Sequence, residues 1–131
     1  MQTLQPPGWP RPKGYSNGMV ASGKMVFLAG LVGWNEQEQF ETEEFAGQAR
    51  QVFQNIVTLL NEAGARPEHI VRMTWFISDK EEYLASLREI GAAYREIIGR
   101  HYPPMSVIEV SGFIEEGAKL EVETTAVIPG N

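Results

Sequence analysis

Glu121 and Glu123 stand two residues apart in the stretch KLEVETT. Side chains alternate along a strand, so the two carboxylates share a face. On a face buried by assembly, an unpaired carboxylate is costly, and such a group can serve as a general base or hold a water molecule. On a solvated sheet edge the same pair is only surface charge. Little else in the chain could do chemistry. The two histidines, His69 and His101, have no partner at metal-ligand spacing. His69 falls in a proline-containing connector and reads as solvated, and His101 follows a helix C-terminus. Ser22 and Ser106 have no histidine placed to activate them, so they read as turn and strand residues. There is no cysteine, which excludes a thiol nucleophile and thiolate metal sites. No phosphate loop, dinucleotide fingerprint or nucleophile elbow occurs. Trp34 and Trp75 read as core or interface residues. Arg72, on a strand, reads as the ion-pair partner of a neighbouring glutamate.

The elements that position these residues follow from periodicity. Residues 1–17 are rich in proline and glycine and read as an extended arm. GMVA, SGK and MVFLAGLVG then read as a short strand, a turn and a longer strand. Thr42 is a good N-cap, with Glu43 and Glu44 at the positive end of the helix dipole. Phe45, Ala49, Val52, Phe53, Ile56, Leu60 and Ala63 follow on one helical face, and Gly64 suits a left-handed C-terminal position. IVRMTWFIS is a strand with Val71, Met73, Trp75 and Ile77 on one side. Asp79 with Glu82 resembles a capping box and opens a second helix, which ends at Gly99. MSVIEV and KLEVETTAV are two more strands. The order β-β-α-β-α-β-β predicts an α+β fold, two helices covering one face of a single sheet.

That architecture leaves a problem on the other face. MVFLAGLVG is apolar on both sides, TWFI places aromatics on opposite sides, and Val107 and Ile108 do the same. Two helices cover only one face, so the other needs a partner, and the simplest partner is another copy of the chain. Ligand sites are then expected in clefts between subunits. At 131 residues, the chain is expected to form one domain, 1–131. The formal charge of −6, from 17 acidic against 11 basic residues, argues against nucleic acid as a partner. The N-terminal residues lack the apolar core of a signal peptide, and no run approaches the roughly 18 apolar residues of a membrane span. A cytoplasmic protein, without membrane association, is the expectation.

Six segments, in order, resemble the Rid family, also called YjgF-like: KGYSNG, VFLAGLVG, QARQVFQNIVTLLNEAGA, IVRMTWFISD, YPPMSVIEV and AKLEVETTAV. The resemblance runs from about Gly14 to Val127. It implies a chorismate-mutase-like α+β fold, assembled as a homotrimer around an inner barrel, with three clefts at subunit interfaces. It also implies hydrolysis of reactive enamines and imines to carbonyl compounds and ammonia, without metal or cofactor. Some members have been described as ribonucleases or translation inhibitors, a reading the acidic charge weakens here.

Carried over by position, the family's cleft tyrosine is Tyr15 and its water-positioning glutamate is Glu121. Its serine is Ala29 here, followed by the matching Gly30. An asparagine of the second helix aligns with Gly91. The arginine that grips the substrate carboxylate is Met105, beside Ser106, and Val107 stands where a cysteine or similar small residue is common. The resemblance therefore implies a Rid-like trimer whose ligand differs from an ordinary imino acid. Met105 cannot form a bidentate pair with a carboxylate, because a thioether is at best a weak acceptor. A small-molecule ligand that is neutral or apolar is expected. Arg11, Lys13 and Arg100 are the cations that could compensate. A trimer that binds a small molecule without turning it over is the alternative.

Overall fold

The computed structural model describes residues 1–130; Asn131, the last residue of the expected domain, lies outside them. The polypeptide forms β1 (Gln2–Leu4), β2 (Gly18–Val20), β3 (Gly23–Val32), α1 (Phe45–Glu62), β4 (Ile70–Ile77), α2 (Lys80–Ala85), α3 (Leu87–Ile97), β5 (Met105–Glu109) and β6 (Leu120–Pro129). The main sheet has the order β3-β6-β4-β5. Its pairs are antiparallel except β4–β5, which is parallel and spanned by the α2–α3 crossover. The α+β architecture agrees with the sequence, and the details differ in three places. The expected single sheet is divided, because β2 pairs with β1 in a separate ribbon. Part of the N-terminal arm is therefore strand.

The second difference is the start of α1. Thr42 does not cap it: the N-cap is Glu44, with no side-chain cap, and Thr42 Oγ1 instead accepts a hydrogen bond from the Glu44 N–H at 3.1 Å. Along the helix, Phe45, Ala49, Val52, Phe53, Ile56 and Leu60 are buried at the expected spacing. Full burial of Phe53 or Ile56 stabilises by about 1.5–3 kcal/mol each. Gly64, at φ 78°, closes the helix in the left-handed region, where a side chain would be strained.

The third difference is a break in the second helix at Ser86, which is both C-cap of α2 and N-cap of α3. The Ser86 hydroxyl donates to the Glu82 carbonyl at 2.8 Å, the local back-bond by which serine competes with helix continuation. Asp79 caps α2 as expected, accepting from the Glu82 N–H at 3.1 Å. Leu84 and Leu87 flank the break and stay about half exposed.

The helices cover the face carrying Met73, Trp75, Ile77, Leu120 and Val122, all buried. The opposite face is open. On it Phe27 is 71% exposed and Met25 56%. No helix among the described residues is long and apolar enough to cross a membrane.

Candidate functional site

A cavity of about 690 Å³ opens between the sheet edge at β5 and the α2–α3 break. Tyr15, Gly91, Met105 and Val107, four of the residues expected at the cleft, line it. Strand parity explains two of them. Met105 and Val107 lie opposite Met73 and Trp75 in the β4–β5 register, and therefore on the helix side. Tyr15 is brought in by the arm. The Ser16 hydroxyl donates to the Tyr102 carbonyl, and the Ser16 N–H donates to the Pro103 carbonyl at 3.3 Å. Gly91 comes from the half-buried shoulder of α3.

The other four expected residues do not meet these in one chain. Ser106 pairs with Thr74, which itself faces Glu123, so Ser106 points to the open face. Glu121 lies opposite Phe76 on that face, in a shallow cleft of about 290 Å³ shared with Glu123, Phe113 and Ile114. Ala29 and Gly30 are exposed at a register shift between Leu28 and Leu31, where the β3–β6 ladder is interrupted. Gly30 touches Glu121 directly: a Cβ there would come within 2.4 Å of Glu121 Oε2. The absent side chain is what admits the carboxylate. The candidate site is thus two half-sites on opposite faces of the sheet.

The remaining charged and polar candidates have ordinary roles. His69 Nδ1 accepts the Arg66 N–H at 3.0 Å in an exposed turn, a local structural role. His101 Nε2 lies 2.7 Å from the Ile70 carbonyl, which can only accept, so the ring donates there. Arg72 is exposed beside Thr125 and forms no ion pair among the described residues, contrary to its expected pairing. Trp34 packs against Phe40, ring centroids 5.8 Å apart.

Sequence reasoning missed much of the cavity wall. Trp75, Tyr83, Tyr94 and Tyr102 line it. They are held by edge-on contacts of Phe53 with Trp75 (5.6 Å) and Tyr94 (5.4 Å), and by stacking of Tyr94 on Tyr102 (5.5 Å). Burial pushes the Tyr83 and Tyr94 hydroxyls above their ordinary range, and the neighbouring Tyr102 raises Tyr94 further. Both remain neutral phenols at physiological pH, and Tyr94 Oη donates to the His101 carbonyl at 2.6 Å. Of the three compensating cations expected, Lys13 lines the cavity, whereas Arg11 and Arg100 do not. Arg95, which sequence reasoning passed over, lines it too. The signal was its spacing: Arg95 lies four residues after Gly91, on the same helix shoulder.

Residues 10–128 match the profile of the endoribonuclease L-PSP family. The chain is similar to a RutC family protein of Aquifex aeolicus, 29% identical over 97% of this chain and 99% of that one. It is similar, at 27% identity, to a 2-iminobutanoate/2-iminopropanoate deaminase of Salmonella typhimurium, over 82% of this chain and 83% of that one. Among solved structures it resembles the Rid-family protein YyfB of Yersinia pestis, with a TM-score of 0.84 and 26% identity, covering 97% and 98% of the two chains. The chain belongs to the endoribonuclease L-PSP family, the YjgF/Rid proteins that its motifs resemble.

Proposed function

We propose that the chain assembles as a homotrimer and hydrolyses an imine or enamine to a carbonyl compound and ammonia. The observation that carries this reading is the division of the site. Glu121, braced against Gly30 on the open face, is separated by the sheet from the cavity lined by Tyr15 and Met105. A second copy, covering the exposed Phe27 and Met25, would bring its own Glu121 to the neighbour's cavity. The deaminase likeness at 27% identity supports the chemistry.

In that arrangement Glu121 accepts a proton from water as the oxygen attacks the imine carbon, and passes that proton to the nitrogen to give the carbinolamine. The carbinolamine then collapses: Glu121 takes the hydroxyl proton and returns it to the nitrogen, the C–N bond breaks, ammonia leaves, and the C=O bond forms. Backbone groups freed by the bulge at Ala29–Gly30 orient the substrate, and Tyr15 closes the cavity mouth. The part of the substrate beside Met105 and Val107 is neutral and apolar, because neither side chain can answer a carboxylate there. Met105 favours the second reading, a trimer that binds a small molecule without turnover.

The test is ammonia release from imines generated in situ, by amine oxidases for those without a carboxylate and by amino-acid oxidases for imino acids. Acceleration by the wild-type chain, abolished in Glu121→Gln, supports hydrolysis. Met105→Arg should extend the activity to short imino acids, since a charge-assisted pair of about 1.5–3 kcal/mol is worth roughly one to two decades of affinity. No acceleration with any imine, together with a ligand recovered unchanged, would leave binding alone.

A further inference from the structure

The lining of the large cavity has a charge pattern opposite to that of the chain. The protein carries a net charge of −6, yet the wall that one chain contributes holds two cations, Lys13 and Arg95, and no carboxylate, so the neighbour's Glu121 would be the one carboxylate to reach it. Neither cation forms an ion pair or a side-chain hydrogen bond among the described residues. Glu96, the carboxylate next to Arg95 in sequence, is already engaged by Arg50 from α1. Arg95 also lies close against its own helix. Its Nη1 lies 3.2 Å from where a Cβ at residue 91 would stand, so Gly91 leaves the room in which the guanidinium lies over the shoulder of α3. Much of the remaining wall is aromatic or aliphatic, including Trp75, Tyr83, Leu84, Leu87 and Tyr94. Tyr83 and Tyr94 are neutral phenols and do not oppose an anion. The volume, about 690 Å³, lies within the range of roughly 300–1,000 Å³ usual for small-molecule sites.

We propose that the cavity takes an aryl-substituted carboxylate whose anionic group pairs with Arg95, assisted by Lys13, and whose aromatic body lies along Trp75 and Tyr83. The carboxylate that cannot be held at Met105 is received on α3 instead. This deepens the proposed hydrolysis by naming its substrate class, and it rests on the same cavity. Guanidinium suits the task, because its fork binds a carboxylate through two parallel hydrogen bonds.

The test is equilibrium binding, read by calorimetry and by quenching of tryptophan fluorescence, with hydrocinnamate, its neutral amide hydrocinnamamide, and pyruvate. Hydrocinnamate should bind at least about tenfold more tightly than the amide, and also more tightly than pyruvate, which cannot reach the aromatic wall. Arg95→Gln should weaken hydrocinnamate about tenfold and leave the amide unchanged, Lys13→Gln should weaken it about threefold, and Arg95→Lys should restore part of the loss. Raising salt to about 0.5 M should narrow the gap between acid and amide. Arg95 is exposed, so these variants are expected to keep the wild-type melting temperature. Equal affinity for acid and amide, indifference to Arg95→Gln, or no binding of either compound would overturn the proposal. Ammonia release is not the readout: charge-selective binding without turnover would sink the hydrolysis alone, and turnover without charge selectivity would sink only this inference.

Discussion

Replacing Gln48 by Ala should destabilise the protein by about 3 kcal/mol, although Gln48 is a polar residue outside both clefts. Its amide is buried on the inner side of α1 and makes three hydrogen bonds. Oε1 accepts the Lys119 N–H at 2.8 Å, and Nε2 donates to the carbonyls of Gly117 and Thr42 at 2.9 and 3.1 Å. One side chain thus ties the segment before α1 to the loop that feeds β6. Each such bond is worth about 1 kcal/mol net, and a buried group left unpaired costs about 1–3 kcal/mol. Water can reach some of the freed groups, so the sum stays near the lower bound. Water cannot easily fill the gap on the side of Gly33, the residue that follows β3: a Cβ there would come within 2.5 Å of the Gln48 carbonyl, so the two backbones are in contact. About 3 kcal/mol is a large share of the 5–15 kcal/mol typical of a domain and corresponds to a fall in melting temperature of roughly 10 °C. Urea unfolding followed by tryptophan fluorescence measures it, with Gln48→Glu as the control. That variant keeps the Lys119 contact but buries a charge and loses both donations, so it should be at least as damaging. A loss below about 1 kcal/mol in Gln48→Ala would mean that the three bonds are replaced by solvent, and the clamp argument would fail.

Two further outcomes follow from the geometry. Gly30→Ala should abolish most ammonia release while moving the unfolding midpoint little, because the new methyl would overlap the Glu121 carboxyl, 2.4 Å away, at an exposed bulge; unchanged activity would show that Glu121 does not need its present place. Alkaline pH should destabilise the fold through Tyr94. Its folded hydroxyl is raised above the ordinary value of 10.0, chiefly by burial, so stability is complete below pH 10.0 and falls by about 1.4 kcal/mol per pH unit above it, until the folded group ionises. Tyr94→Phe should flatten that slope in denaturant titrations between about pH 10 and 12, and an identical slope would assign the alkaline loss elsewhere.

The α1 stripe, the alternation in β4 from Met73 to Ile77, the Asp79 cap and the Gly64 terminus were legible because each is local: periodicity and a few capping side chains decide them; Val71, expected on the same side, gives way to the buried Ile70 at a register shift. The failures were contests between local signals. Thr42 is a competent cap, yet its hydroxyl is taken by Glu44 and the helix starts later. Ser86 breaks the second helix through a bond to its own upstream carbonyl, which no apolar stripe can report. The division of the main sheet from the β1–β2 ribbon depends on pairing of the arm, a long-range choice that residue pattern does not encode.

The candidate site itself was half legible, and the missing half follows from strand parity. Met105, Ser106 and Val107 are consecutive on β5, so Ser106 must face away from the other two. Alternation alone therefore forbids a single cleft within one chain that holds all three side chains. By the same rule Glu121 shares a face with Ser106's partner Thr74 and not with Trp75. The family positions fall into two sets because two faces of one sheet carry them, and the proposed assembly would join those faces between neighbouring copies. Arg95 was passed over for a different reason. On the helix it is one more exposed basic residue in a last turn, the ordinary place for a cation. Its spacing from Gly91 puts the two on one helix shoulder, but only the cavity beside them distinguishes Arg95 from surface charge.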